Sequence, residues 1–255
     1  MNHHDKSPVT KHQSPADEQN TPPTTSPLIS LANVSHSYLE GGAPLKVLDN
    51  VSLDIQQSEK VALLGRSGCG KSTLLNLISG IDLPEQGEII IDGENICTLT
   101  ETRRTLFRRN HIGFIYQFFN LIPSLTALEN VALTLELKGV SATQARERSM
   151  ALLSRLGVAD KSASFPSRLS GGEQQRIAIA RALVHSPEVV LADEPTGNLD
   201  AQTGAAVLEV LHDILDESKS SLLLVTHSLA VARSANRIVT LEDGAISERE
   251  GDFAW

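Results

Sequence analysis

The sequence predicts an α/β protein built on a mainly parallel core sheet, with an antiparallel β subdomain at its N-terminal end and an α-helical subdomain inserted later. Three patterns carry this prediction. Residues 28–55 hold two long β-type runs separated by turn residues. After Gly65, short continuous apolar runs alternate with helical periodicity, as expected of buried parallel strands joined by helices. Between Gln117 and Leu169 the strand signals give way to helical ones.

Taken in order, LISLANVSHSY (28–38) and VLDNVSLDI (47–55) are strand-like, and KVALL (60–64) is an apolar strand ahead of a helix from Lys71. GEIIIDG, IGFIYQ, EVVLADE, SLLLVTH and RIVTLEDG follow as core strands. Within the helical stretch, Ala145, Leu152, Leu153 and Leu156 share one face and Gly157 stands as a stop, so the subdomain is set at about 118–168. A helix over 203–216 directs Val207, Val210, Leu211 and Ile214 toward the sheet. Residues 1–27 carry five of the eleven prolines and almost nothing to bury, and are read as a disordered tail. The folded domain is placed at 28–250, with 251–255 as a short C-terminal tail. His3, His4 and His12 are read as solvated, since no second cluster completes a metal site.

At 255 residues and 40% hydrophobic content the chain can bury a substantial core. A formal charge of -9 argues against a general nucleic-acid surface, which requires clustered Lys and Arg. Two cysteines, Cys69 and Cys97, lack the spacing of a zinc site or a disulfide framework and suit a reducing compartment. No run approaches the roughly 18 apolar residues of a membrane helix, so a membrane role is expected to come through a partner.

Gly65-Arg66-Ser67-Gly68-Cys69-Gly70-Lys71-Ser72 fits G-x-x-x-x-G-K-[ST] in the strand-loop-helix context that this motif needs, with Thr73 continuing into the helix. The glycines let successive backbone N–H groups turn toward phosphate oxygens, and the helix N-terminus adds positive potential. Lys71 is expected to reach the β and γ phosphates of ATP, and the Ser72 hydroxyl to bind Mg²⁺. Cys69 reads as a small filler. The alternative for the whole stretch is a glycine-rich turn with a surface lysine.

Val189-Val-Leu-Ala-Asp193-Glu194 is an apolar strand ending in two acids. Asp193 is placed to act toward Mg²⁺, and Glu194 to polarise the attacking water as a general base. The bland alternative is a strand ending at a turn-prone Asp-Glu-Pro.

At this point the chain resembles the nucleotide-binding subunits of ABC transporters, from about Leu28 to about Glu248. Leu169-Ser-Gly-Gly-Glu-Gln-Gln175 is similar to the family's signature motif, Gly197-Asn-Leu-Asp200 to its D-loop, Gln117 to its Q-loop and His227 to its switch histidine. The resemblance implies a P-loop NTPase cassette that hydrolyses ATP with Mg²⁺. It implies that Ser170, Gly171 and Gly172 meet the γ-phosphate held by a second copy of the chain, with Asp200 also at the nucleotide, so that two copies close head to tail around two ATP molecules. Gln117 is expected to touch Mg²⁺ or the lytic water and to report on the helical insertion, and His227 to orient the water through the γ-phosphate. Tyr38 is placed in the loop after the first strand, stacking on adenine or else as a half-buried strand tyrosine. Ser228 stands where many relatives have an acid.

GFIYQFFNLIPSLTALENV and LADEPTGNLD look most like the subgroup serving LolCDE-type lipoprotein release, MacB-type efflux, and the related DevA and FtsE proteins. This implies integral membrane permease partners of the LolC/LolE, MacB or FtsX kind and a peripheral place on the cytoplasmic face of the bacterial inner membrane. The permease would dock near Phe118–Ser124, unless Phe118 and Phe119 are core. Arg103, Arg104, Arg108 and Arg109 face lipid, acidic partner loops or simply solvent. Two rivals stand beside this reading. A chromosome-maintenance or translation ATPase would need a long coiled coil or a second cassette, and neither is seen. An FtsE-like regulator controlling a membrane scaffold without transport shares every motif.

Overall fold

The computed structural model describes Met1 and residues 26–248, so the expected tails over most of 1–27 and over 251–255, with His3, His4 and His12, lie outside the described residues. Strands β1 (Ile29–Glu40), β2 (Ala43–Ile55), β4 (Gln86–Ile91) and β5 (Glu94–Asn95) form an antiparallel sheet in the order β2-β1-β4-β5. Strands β3 (Lys60–Leu64), β6 (Ile112–Ile115), β7 (Val189–Asp193), β8 (Ser221–Thr226), β9 (Arg237–Glu242) and β10 (Ala245–Glu248) form a second sheet in the order β10-β9-β3-β8-β7-β6. It is parallel except for β10 at its edge. The helices are α1 (Lys71–Ile78), α2 (Glu101–His111), α3 (Ala127–Leu137), α4 (Ala142–Arg155), α5 (Gly171–Leu183), α6 (Ala201–Ser218) and the single turn α7 (Leu229–Ala232).

Every residue of β3 and β8 is buried, which is why these strands read as continuous apolar runs. Alternate residues serve opposite faces. Val189, Leu191, Leu223 and Val225 join a core with α1 and the antiparallel sheet, whereas Val190, Ala192, Leu222 and Leu224 join one with α3, α4, α5 and α6. The central sheet is therefore covered on both sides, and its carboxyl edge is left for the loops.

GEIIIDG departs from expectation. As β4 it pairs antiparallel with β1 and lies outside the parallel core. Ile89 and Ile91 are buried while Ile90 is only partly so, and three isoleucines in a row conceal that two-residue period. The helical insertion begins with an irregular segment, and α3 starts only at the Thr126–Glu129 capping box. Gly157, at φ 69°, ends α4, with the Val158 N–H on the Leu153 carbonyl. Helix α6 outruns its expected span because Asp200 caps it and Lys219 closes it in the left-handed region. In α2, Arg104 binds the Leu99 carbonyl and Arg108 the Gly80 carbonyl, so half of the arginine cluster ties loops together, while Arg103 and Arg109 are exposed.

His185, just after α5, donates from Nε2 to the Ile112 carbonyl at 3.2 Å, and its Nδ1 is buried without a partner. Burial, aided by the nearby Lys138 charge, lowers its pKa from 6.5 to about 4. The folded value lies below the unfolded one, so the contribution is complete above pH 6.5 and is lost as pH falls toward 4. At about 1.4 kcal/mol per unit this amounts to at most about 3.5 kcal/mol. Urea unfolding across pH 4–7.5 should show a shallower acid decline in His185→Gln than in the parent chain. An unchanged decline would assign the acid sensitivity to other groups.

Candidate active site

The loop from Gly65 to Gly70 links the end of β3 to the start of α1. It passes so close to β9 that a Cβ on Gly65 would lie 2.8 Å from the Leu241 carbonyl oxygen and 2.6 Å from Cys69 Sγ. Gly70, at φ 104°, is the N-cap of α1 and supplies no side-chain cap, which leaves the first amides of the helix pointing out of the loop. The Lys71 ammonium is held by the carbonyls of Gly65 (2.9 Å) and Arg66 (2.7 Å), so it arches over the loop from within a buried stem.

Across the sheet edge, Ser72 Oγ donates to Asp193 Oδ2 at 3.0 Å. Burial pushes the Asp193 carboxyl above the usual carboxylate range, with Glu194 adding to the rise and Ser72 and Lys71 opposing it. Glu194, at φ 46°, turns away from its neighbour. Its carboxylate accepts from Thr226 Oγ1 (3.1 Å), from the His227 N–H (2.9 Å) and from His227 Nδ1 (2.7 Å). With Nδ1 donating, His227 presents Nε2 on a ring that is largely exposed. Gln117 lies two residues past β6, and its carbonyl accepts from Asn198 Nδ2 at 2.6 Å.

These groups open onto one cleft of about 570 Å³. Lys71, Ser72, Thr73, Asp193, Glu194, Gln117 and His227 line it together with Ser67, Gly68, Gly70, Tyr38 and Val47. Tyr38 is not in a loop: it lies inside β1, opposite Leu45, because the hairpin pairs through to Glu40 and Ala43. Its ring is 40% exposed and is met edge-on by His36, with centroids 4.8 Å apart. Val47, the extra residue where β2 bulges between the pairs His36–Leu48 and Ser37–Lys46, forms the adjoining wall. No sequence pattern marks it, since a bulge interrupts the two-residue period of the strand. Gly65, Arg66 and Cys69 back the loop, and Arg66 and Cys69 line a neighbouring recess with Leu241, Glu242 and Asp243. Burial raises the Cys69 thiol pKa, in keeping with a filler.

Ser170, Gly171, Gly172 and Asp200 are not in this cleft. Ser170 caps α5 in a reciprocal capping box with Glu173, whose carboxyl is held low by the Ser170 N–H and hydroxyl. Asp200 Oδ1 accepts the Thr203 N–H, and the Thr203 hydroxyl together with that N–H lowers its pKa. Phe118 is 72% exposed and is not core; Phe119 is partly buried, with its ring tip 3.8 Å from where a Gly171 Cβ would stand.

The family model described as ABC transporter matches residues 48–197. The chain belongs to the ABC transporter family. This ABC ATP-binding subunit is 51% identical to an uncharacterized ABC transporter ATP-binding protein of Mycobacterium tuberculosis, over 86% of this chain and 89% of that one. It is 43% identical to the lipoprotein-releasing system ATP-binding protein LolD of Pseudomonas syringae pv. tomato, over 87% of this chain and 97% of that one. With the macrolide export ATP-binding/permease protein MacB of Sodalis glossinidius it shares 45% identity over 87% of its own length but 34% of the longer chain. Among solved structures it is similar to the dimeric post-hydrolysis state of the ATP-binding cassette MJ0796 bound to ADP and Pi, with TM-score 0.81, 40% identity, and 88% and 100% of the two chains covered. The subunit is accordingly an ATPase of a transport system, with the α/β cassette fold.

The two glycines that open α5 differ in what their own chain asks of them. A Cβ on Gly171 would have its nearest neighbour at 3.6 Å, whereas one on Gly172 would lie 2.8 Å from Thr203 Cγ2. Gly171→Ala should leave urea stability unchanged or raise it by up to about 1 kcal/mol. Gly172→Ala, which must displace the Thr203 methyl, should fall below it in the same titration.

Proposed function

We propose that this chain drives a membrane permease that releases or exports a lipoprotein, lipid or drug-like substrate. In this reading two copies close head to tail around two ATP molecules, peripheral to the cytoplasmic face of a bacterial inner membrane. The observation that carries the reading is the single cleft at the carboxyl edge of the sheet, in which Lys71, Ser72, Asp193, Glu194, Gln117 and His227 converge. The capped but chemically unused start of α5 stands apart from that cleft, as a surface meant for another copy's nucleotide would. The likeness to LolD and MacB supports the substrate class. No helix among the described residues is long and apolar enough to cross a membrane, in keeping with attachment through a permease.

Each residue has a task. The loop amides and the Lys71 ammonium bind the β and γ phosphates. Tyr38 and Val47 wall the adenine. Ser72 and Asp193, already 3.0 Å apart, and the Gln117 amide form an all-oxygen donor set that fits Mg²⁺ and would hold it. When bound, the cation neutralises phosphate charge. Glu194 exchanges the His227 Nδ1–H for the attacking water and takes up its proton, while the freed His227 ring N–H donates to the γ-phosphate and so orients the water. The N-terminal amides of α5, with Ser170, Gly171 and Gly172, approach the γ-phosphate of the other copy, and Asp200 lies near the same seam.

Glu194→Gln should retain ATP binding, lose turnover by at least about a hundredfold and accumulate as an ATP-bound dimer on size exclusion; parent-like turnover would remove the base assignment. Gly171→Trp should abolish hydrolysis while the monomer still binds a fluorescent ATP analogue. Loss of monomer binding would instead place the signature residues in the chain's own site. Co-purification with a substrate-bearing permease supports release or export, and a cell-wall hydrolase complex supports regulation.

A further inference from the structure

The segment after Gln117 is held in an unusual way. Phe119 and Asn120 both lie in the left-handed region, at φ 59° and 49°, although neither is glycine. Such backbone persists only where its surroundings enforce it. The enforcement is visible: Arg181, in the last turn of α5, donates from one guanidinium nitrogen to the Phe119 carbonyl at 2.7 Å and from the other to the Asn120 carbonyl. A planar fork suits two adjacent carbonyls that a point charge would bridge less well. The guanidinium is well desolvated, which lowers its pKa against the opposing influence of Tyr116.

The same segment touches the other end of α5. The Phe119 ring tip lies near Gly171, at the start of the signature helix. On its cleft side, Gln117 is fixed by Asn198, and its amide nitrogen is 3.5 Å from where a Gly197 Cβ would stand. The left-handed pair also turns Phe118 outward, where it is the most exposed aromatic side chain among the described residues.

We propose that Arg181 is a positioning residue that clamps the 118–120 turn along the signature helix, so that α5, the outward Phe118 and the cleft residue Gln117 move as one piece during the ATPase cycle. The proposal rests on the ATPase reading above but is tested by a structural readout that does not require turnover. Without the clamp, the left-handed turn relaxes, Gln117 loses its link to α5, and motion of the helical subdomain no longer reaches the cleft.

The test uses the full chain and hydrogen exchange of the peptide spanning residues 116–125. In Arg181→Met, exchange there should rise by about tenfold or more while the strands of the core keep their protection. Affinity for a fluorescent ATP analogue should stay within about twofold, and kcat should fall by about tenfold. Asn120→Gly, which removes the steric cost of positive φ, should restore much of the lost protection and kcat when added to Arg181→Met. Arg181→Lys, which keeps the charge, should be intermediate and serves if Arg181→Met does not fold. Exchange at 116–125 like the parent's, a uniform rise over the whole chain, or no rescue by Asn120→Gly would each overturn the proposal. An inactive parent chain with the same exchange pattern would fault the ATPase reading and leave the clamp standing.

Discussion

The hydrogen bond from Ser72 to Asp193 joins the first turn of α1 to the end of β7, two strands away from β3. It exists because of register. Leu64 pairs with Thr226 and Asp193 with Val225, so β3, β8 and β7 finish at the same edge of the sheet. The phosphate loop, the acidic pair and His227 are successors of those three strand ends. Parallel strands buried on both faces, as β3 and β8 are, hold that register firmly, since slipping by one residue would send the side chains of each core to the opposite face.

Around this edge, polar side chains bind backbone more than one another. Lys71 holds two loop carbonyls, Asn198 the carbonyl of Gln117, Arg181 those of Phe119 and Asn120, and Glu194 the N–H of His227. Such bonds shape loops that have no ladder of their own, and they give each loop a partner on a different element. The cleft is thus wired to the start of α6 and to α5 without any continuous secondary structure between them. The loops that must move can do so by exchanging a few hydrogen bonds and leaving both cores intact.

Much of this was legible in the chain. The glycine-rich loop, the Asp193–Glu194 pair and His227 sit at the ends of apolar runs, and all of them meet in one cleft. Less was legible where pairing decides. GEIIIDG has the composition of a core strand, yet it pairs with β1, a choice made by partners more than fifty residues away. Tyr38 and Val47 line one cleft because β1 and β2 pair as a hairpin with a bulge at Val47. The arginines of α2 look alike in sequence, but Arg104 and Arg108 turn inward to loop carbonyls that no local pattern announces.

The sequence by itself determined the strand-loop-helix around Gly65–Ser72, the acidic strand end at Asp193–Glu194, the motif at Leu169–Gln175 and the family, because each depends on spacing within one short stretch. Tertiary structure alone decided which sheet β4 joins, that Glu194 is bound to Thr226 and His227, that Phe118 faces outward, and that Arg181 holds the turn beside Gln117. These depend on contacts between residues tens of positions apart, whose geometry is fixed by packing and hydrogen-bond satisfaction and not by any local periodicity.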